Sequence, residues 1–336
     1  RQAAFVAAVV VLLNLGYWMR NLATFGTPLG SIQGIEGQVG AHLAPNAMLA
    51  SWVRNVALNF PTPSENVNGK IVGAILDLHR ILGADPEGFS VIWAWNNENL
   101  AGNPLHVGLT VVTFGLLFAL RRKGESSLPL QYALVALVSI LALFSVTRFD
   151  IYGVRHQLTF LVLWAPIAGL VATRLGRPRL TAAVAGMLLL ASLPWLLLNG
   201  SRPVVGLQPR TMTDSVFREP PAAILFANWT ALRAPYSEAA AAVQASACRE
   251  VGLRIDSADL EYPFWWLLDA PHSGIRIETI DPYPHLLRYV DPSFKPCAIL
   301  CTVCGGRTRL HGLERSATFG PIAVYLGSTY SPGEDD

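Results

Sequence analysis

The sequence predicts a mainly α-helical polytopic membrane protein with a small C-terminal extracytoplasmic α/β domain. Three observations predict it. Five stretches free of Asp, Glu, Lys and Arg are long enough, or nearly so, to cross a bilayer. Two of the short joints between them are basic. After residue 199 the chain regains the Asp, Glu, Pro and Gly that those stretches lack. Composition agrees: 52% of the 336 residues are hydrophobic and 14% charged, against about 25% charged in soluble domains. That excludes a disordered chain and disfavours an ordinary cytosolic enzyme. A net charge of +2 with no run of five Lys/Arg offers no stripe for a phosphate backbone, so nucleic acid is not an expected partner. The chain opens on Arg1 directly into apolar sequence, which predicts a fragment of a longer protein.

The expected spans are 3–19, 104–120, 128–147, 157–173 and 180–198, together with their joints forming a transmembrane region over 1–199. Arg121, Arg122 and Lys123 stand against Glu125 in one joint, and Arg174, Arg177 and Arg179 stand unopposed in another. The positive-inside rule puts both joints in the cytoplasm. The 20–103 loop, the 148–156 loop and the segment 200–336 then fall on the outer side of the membrane. The large loop has four Lys/Arg (Arg20, Arg54, Lys70, Arg80) against six acids and so gives no competing cytoplasmic signal.

Within that loop, Met48, Leu49, Trp52, Val53, Val56 and Phe60 recur at helical spacing after Asn46, a candidate N-cap. Ile71, Val72, Ile75, Leu76 and Leu82 do the same between Asn68 and Gly83. Both runs predict amphipathic helices, lying at the membrane interface to roof a cavity or packing on each other as a small domain.

Residues 200–336 predict a soluble α/β domain. A helix is expected over 237–250 and a short apolar one over 262–269, with strands near 253–256, 276–280, 297–303 and 322–326. All four cysteines lie here. The spacing of Cys301 and Cys304 suits a metal knuckle or a redox pair, but it has no second half and sits in an apolar strand-like run. Both are therefore read as buried strand cysteines. In an oxidising compartment a disulfide from Cys248 to one of the other three is expected, with Cys297 preferred.

Chemistry concentrates at three places. Arg20 and Asn21 end the first span beside Tyr17 and Trp18, before a turn through Gly26, Pro28 and Gly30. A guanidinium there either holds a phosphate bidentately or snorkels to the interface. The 148–156 loop puts Arg148, Arg155 and His156 where cations are disfavoured, with Asp150 as the alternative partner. Such cations suit an anion, and a lipid-linked phosphate arriving laterally would supply it. Glu98, in WNNENLAGNPLH, is the lone acid before the second span. It suits orienting an acceptor hydroxyl or a metal ion, or merely capping the helix. No P-loop, HExxH or Ser/His/Asp pattern occurs, and no metal ligand set is assigned.

YWMRNLATFGTPLGS at 17–31, AGNPLH at 101–106, VRHQLTFLVLWAP at 154–166, and CREVGLRID with EYPFWWLLD in 248–269 resemble segments of bacterial GT-C membrane glycosyltransferases. That group includes protein mannosyltransferases and aminoarabinose transferases. The resemblance implies an inverting enzyme that moves a sugar from a polyprenyl-phosphate carrier to an extracytoplasmic protein, lipid or glycan acceptor. It also implies that the acidic base on the acceptor hydroxyl lies upstream of residue 1, so no catalytic residue is assigned here and Glu98 does not replace it. Relatives carry an acidic pair where this chain has Asn97-Glu98-Asn99. Donor-phosphate binding falls to Arg148, Arg155, His156 and Arg20, with Asn21 and Glu98 as acceptor or loop candidates. No cofactor is assigned beyond a candidate divalent metal ion in the complete enzyme.

The competing classes are a transporter or flippase of lipid-linked sugars and a non-enzymatic anchor presenting a binding domain. The first would show inverted repeats and charges inside its spans, and the sequence shows neither. The second would make the cations of 148–156 accidental.

Overall fold

The computed structural model describes residues 2–31, 44–85, 88–121, 124–208, 210–256 and 258–333. Two compact units divide the chain, Arg1–Ser215 and Val216–Asp336. Residues 200–215 therefore go with the helical unit, past the expected break at 199.

The first unit holds seven helices among its described residues: α1 (Gln2–Phe25), α2 (Pro45–Ala57), α3 (Glu65–Leu82), α4 (Pro104–Ala119), α5 (Leu128–Val146), α6 (Val154–Leu175) and α7 (Pro178–Leu197). Four of them, α1, α5, α6 and α7, are long and apolar enough to cross a membrane. The second expected span is the exception. Helix α4 has 16 residues, about 24 Å at 1.5 Å per residue, short of the ~30 Å hydrocarbon core. Pro104 in its first turn and the break at Leu120 before Arg121 bound it at both ends.

Helices α4, α5 and α6 pack around Leu117, Ala133, Ala136, Trp164, Ile167 and Val171. The two buried alanines let the backbones approach closely, as small residues do between apolar helices. Two polar ties fix the register: the Trp164 indole donates to Thr113 Oγ1 at 2.8 Å, and the Tyr132 hydroxyl to the Leu163 carbonyl at 2.8 Å. Outward, Val111 and Val135 are 67% and 66% exposed, a surface suited to lipid rather than water. Helices α1 and α7 bury almost nothing, 6% and 0% of their most apolar windows.

Two helix ends differ from expectation. Helix α1 continues past residue 19 to Phe25 and stops only at Gly26, whose φ is +74°. Helix α6 starts at Val154 rather than 157. Polar side chains do not end a helix, whereas a left-handed glycine does. Arg20, Asn21, Arg155 and His156 are consequently helical residues rather than loop residues.

Helix α2 starts from Ala44 with Pro45 in its first turn, and Asn46 donates its amide to the Leu82 carbonyl at 2.7 Å. Helix α3 is capped by Ser64, whose hydroxyl accepts from Val67 N; Asn68 instead bonds Thr62. These two helices pack on each other and α2 packs on α5, and Leu58, Ile75, Phe89, Val91 and Val154, the first residue of α6, form one buried cluster there. Ser51 donates to the Phe144 carbonyl at 2.6 Å and Trp52 to the Leu141 carbonyl at 2.9 Å. The 45–82 layer therefore sits where α5 ends and α6 begins. At the other end Arg174 pairs with Glu125, which brings the two basic joints together. Arg122 and Lys123 lie outside the described residues.

The second unit is a small mixed sheet with helices. Its strands are β1 (Glu250–Arg254), β2 (Arg276–Thr279), β3 (Ala298–Cys301), β4 (Arg309–Leu310), β5 (Leu313–Phe319) and β6 (Ile322–Leu326), in the order β2-β1-β3-β6-β5-β4. The first three are parallel; β6, β5 and β4 follow antiparallel. Alternation sorts the two faces. Val251, Leu253, Leu300, Ile322 and Val324 meet helix α9 (Arg233–Ala245) through Tyr236, Ala240 and Val243, while Ile299, Cys301 and Tyr325 build the opposite face. A one-turn helix α8 (Pro221–Leu225) precedes this and α10 (Tyr262–Leu267) follows β1. Tyr236 stacks on Phe264 with ring centroids 4.5 Å apart. The helix expected over 237–250 runs instead from Arg233 to Ala245, and β4 and β5 lie outside the expected strands. Cys248 and Cys297 form a disulfide, and Cys301 and Cys304 a second one, so the latter pair are not separate strand thiols.

Candidate functional site

The segment 95–103 is a strap held from three sides of the first unit. On one side Asn96 accepts from Gly200 N at 2.7 Å through its carbonyl and donates its amide to the Arg210 carbonyl at 3.0 Å. On another, Gly102 lies so close to 59–61 that a Cβ would stand 2.4 Å from Pro61 Cδ and 2.9 Å from the Asn59 carbonyl oxygen. Only glycine fits that approach. On the third, Arg155 Nη1 donates to Asn99 Oδ1 at 3.4 Å.

The next residue in, Glu98, accepts from the Asn199 side-chain amide. Asn199 is itself oriented: its Oδ1 accepts from Ser201 N at 3.1 Å and Arg202 N at 2.9 Å, an Asx turn that leaves the NH2 for the carboxylate. Glu98 therefore has one oxygen fixed and one without a hydrogen bond among the described residues.

Behind the strap opens a cleft of about 310 Å³, bounded by Glu98, Asn103 and His106 on one side and by Leu188, Ala191 and Trp195 of α7 on the other. It adjoins a second trough of about 400 Å³ between α4 and α6, which shares Asn103, His106 and Leu188 with it. Its remaining walls, Leu109, Leu158, Leu161, Val162 and Ala168 among them, are apolar apart from Thr110, so most polar groups gather toward the strap. That distribution suits an amphiphile, with its chain in the trough and its polar head at the strap. The Trp195 indole N–H at the wall has no acceptor among the described residues.

The candidate residues separate as follows. Arg155 is exposed on the first turn of α6, over the Tyr152 ring at 5.3 Å and against Asn99. His156 is exposed beside it. Arg148 is exposed before Phe149, and Asp150 is taken up by the turn, its carboxylate accepting from Tyr152 N at 2.9 Å. Asp150 makes no ion pair with Arg148 or Arg155 among the described residues. Asn21 is buried and donates to the Pro28 carbonyl at 3.1 Å, tying the end of α1 to its turn, while Arg20 is exposed one residue earlier. No hydrogen bond or ion pair joins Arg20 to 95–103 or 148–156 among the described residues. The structure thus brings Arg155 to the Glu98 strap without bringing Arg20 there.

Sequence reasoning missed Asn199, the partner of Glu98, and the buried amides Asn55, Asn59 and Gln157. Asn59 Nδ2 donates to Gln157 Oε1 at 2.7 Å, and Gln157 Nε2 to the Asn55 carbonyl at 2.9 Å. This network fixes α6 two residues beyond Arg155. The signal was present as Asn55 and Asn59, one helical turn apart just before Pro61, and a Gln inside an apolar run. No group of three or more His, Cys, Asp or Glu suited to a metal ion occurs among the described residues. One carboxylate is too small a donor set to hold a divalent ion. Comparison of the chain with protein-family profiles, curated proteins and solved structures gave no match.

Proposed function

We propose that the first unit binds a polyprenyl-phosphate-linked sugar and belongs to a membrane glycosyltransferase acting on an extracytoplasmic protein, lipid or glycan acceptor in a bacterial cytoplasmic membrane. The observation that carries this reading is the trough: mostly apolar walls between apolar helices, with Glu98, Asn103 and His106 at its mouth and Arg155, on the first turn of α6, bonded to Asn99 of the strap. An isoprenoid chain fits the walls. On this reading the phosphate lies between that mouth and Arg155, with His156 one residue further along the chain.

Transfer breaks the bond from the sugar's anomeric carbon to the phosphate oxygen and forms one to the acceptor oxygen, whose proton must leave. The phosphate gains negative charge as that bond breaks. A preorganised cation in a site of low dielectric stabilises the developing charge more than the ground state. We assign Arg155, with His156, to that stabilisation, with Arg148 on the same rim. Glu98 and Asn199 are assigned to positioning hydroxyls of the sugar or acceptor. No residue of this chain is assigned as the base.

The test uses membranes containing the protein, supplied with radiolabelled polyprenyl-phosphate sugars. Transfer of label to an acceptor is the expected result. Arg155→Ala is expected to weaken donor binding about 10-fold or more, the worth of one charge-assisted hydrogen bond. Unchanged binding and turnover in that variant would remove the rim from the mechanism.

A further inference from the structure

The second unit carries an exposed aromatic segment that its own core does not use. Between Asp281 and Asp291 the chain reads PYPHLLRYV, with Arg288 as its one permanent charge. Its Pro284–Tyr289 part is a short 3-10 helix of six residues, none of them buried. Tyr283, Leu287, Tyr289 and Val290 are 58%, 58%, 60% and 40% exposed. The side chains are arranged rather than splayed: the Tyr283 and His285 rings stack at 5.8 Å with 2° between planes, and the Arg288 guanidinium lies 4.9 Å over the Tyr289 ring.

The two bracketing carboxylates are neutralised. Asp281 is paired with His311 at 2.7 Å and Arg254 at 3.2 Å. Asp291 is bonded to Ser293 and to Arg276 at 2.7 Å. The segment therefore presents two tyrosines, two aliphatic residues and one cation, with the nearby negative charge compensated by partners on the unit itself.

We infer that residues 283–290 dock into the headgroup layer of an anionic bilayer. Tyrosines with an apolar body and a polar tip, next to an arginine and short apolar residues, are the composition that settles at a membrane–water interface. Arg288 complements anionic lipid phosphates at that depth. The chain itself keeps such a surface within reach, because it also contains four helices long and apolar enough to cross a bilayer. A soluble partner would have to be recruited, whereas the lipid surface is tethered to the same chain.

The described residues contain no free cysteine, so one added thiol reports on one place. Leu287→Cys, Tyr289→Cys and, on the exposed face of α9, Ala241→Cys are each labelled with an environment-sensitive fluorophore. The full chain is reconstituted in phosphatidylethanolamine–phosphatidylglycerol vesicles containing nitroxide-labelled lipid. Probes at 287 and 289 are expected to shift to shorter wavelength and to lose fluorescence to the nitroxide, while the probe at 241 stays water-exposed and unquenched. Arg288→Glu is expected to reduce the quenching at 287. Probes at 287 and 289 that match the probe at 241 would overturn the inference. So would probes shielded equally in detergent and in vesicles without nitroxide quenching, because protein rather than lipid would then cover the segment.

Discussion

The two disulfides of the sheet unit should differ sharply in what they contribute. Cys248 and Cys297 are separated by 49 positions, Cys301 and Cys304 by 3. In the chain-entropy account a crosslink stabilises by restricting the unfolded chain, with a term that grows as the logarithm of loop length. A closed loop of that first length is worth about 4 kcal/mol, and one of the second under about 2 kcal/mol. Cys248→Ala with Cys297→Ala should therefore destabilise the unit by about 2.5 kcal/mol more than Cys301→Ala with Cys304→Ala. Both double variants delete two sulfurs, so much of the packing loss is common and the difference reports loop length. The assay is pulse proteolysis of the full chain in detergent across a urea series, scored on cleavage within 216–336. Equal losses for the two pairs, or a loss under about 1 kcal/mol for the long loop, would refute the reasoning.

Other perturbations test the site's scaffold and the sheet unit. Asn59→Ala leaves the buried Gln157 Oε1 without its donor and should cost about 1–3 kcal/mol. Combined with Gln157→Ala the effects should be non-additive by at least about 0.5 kcal/mol in thermal unfolding. Gly102→Ala forces a methyl to 2.4 Å from Pro61 Cδ. Hydrogen exchange over 96–103 should rise while exchange in the α5–α6 core stays unchanged. Tyr236 is buried at 1% exposure, and burial, with Asp259 adding repulsion, pushes its hydroxyl up to about 12. The unfolded phenol ionises near 10, so the folded state holds the extra proton between these values and stability falls as pH rises through that window. Tyr236→Phe should remove this alkaline loss in denaturation midpoints between pH 9 and about 12.

The parts of the fold legible in the sequence were those written in one periodicity or one composition. Absence of charge located α5, α6 and α7, and helical spacing located α2 and α3. Ends were harder, because Arg20 and Arg155 are compatible with a helix and only the backbone break at Gly26 or the turn before Val154 settles them. Asn46 and Asn68 are good caps in isolation, but Pro45 and Ser64 precede them and start the helices earlier. In the sheet unit, β1, β2, β3 and β6 are short apolar runs, whereas β5 reads LERSATF and buries only Leu313. Its alternation followed by the Gly320–Pro321 turn was the available signal. Arg148 and Arg155 were visible as cations in a short joint between apolar runs. The contact of Arg155 with the Glu98 strap was not, since it joins residues more than 50 apart, and Asn199 lies a further hundred residues from the strap.

On the proposed function, the trough behind Glu98 holds the lipid carrier with its phosphate at Arg155. Photoactivatable polyprenyl phosphate, crosslinked to the protein in native-composition vesicles and mapped by mass spectrometry, tests it directly. Adducts on Leu109, Leu158, Val162 or Leu188, reduced by Arg155→Ala and by excess unlabelled polyprenyl phosphate, are the predicted result. Adducts confined to the outward faces at Val111 and Val135, insensitive to both, would contradict it.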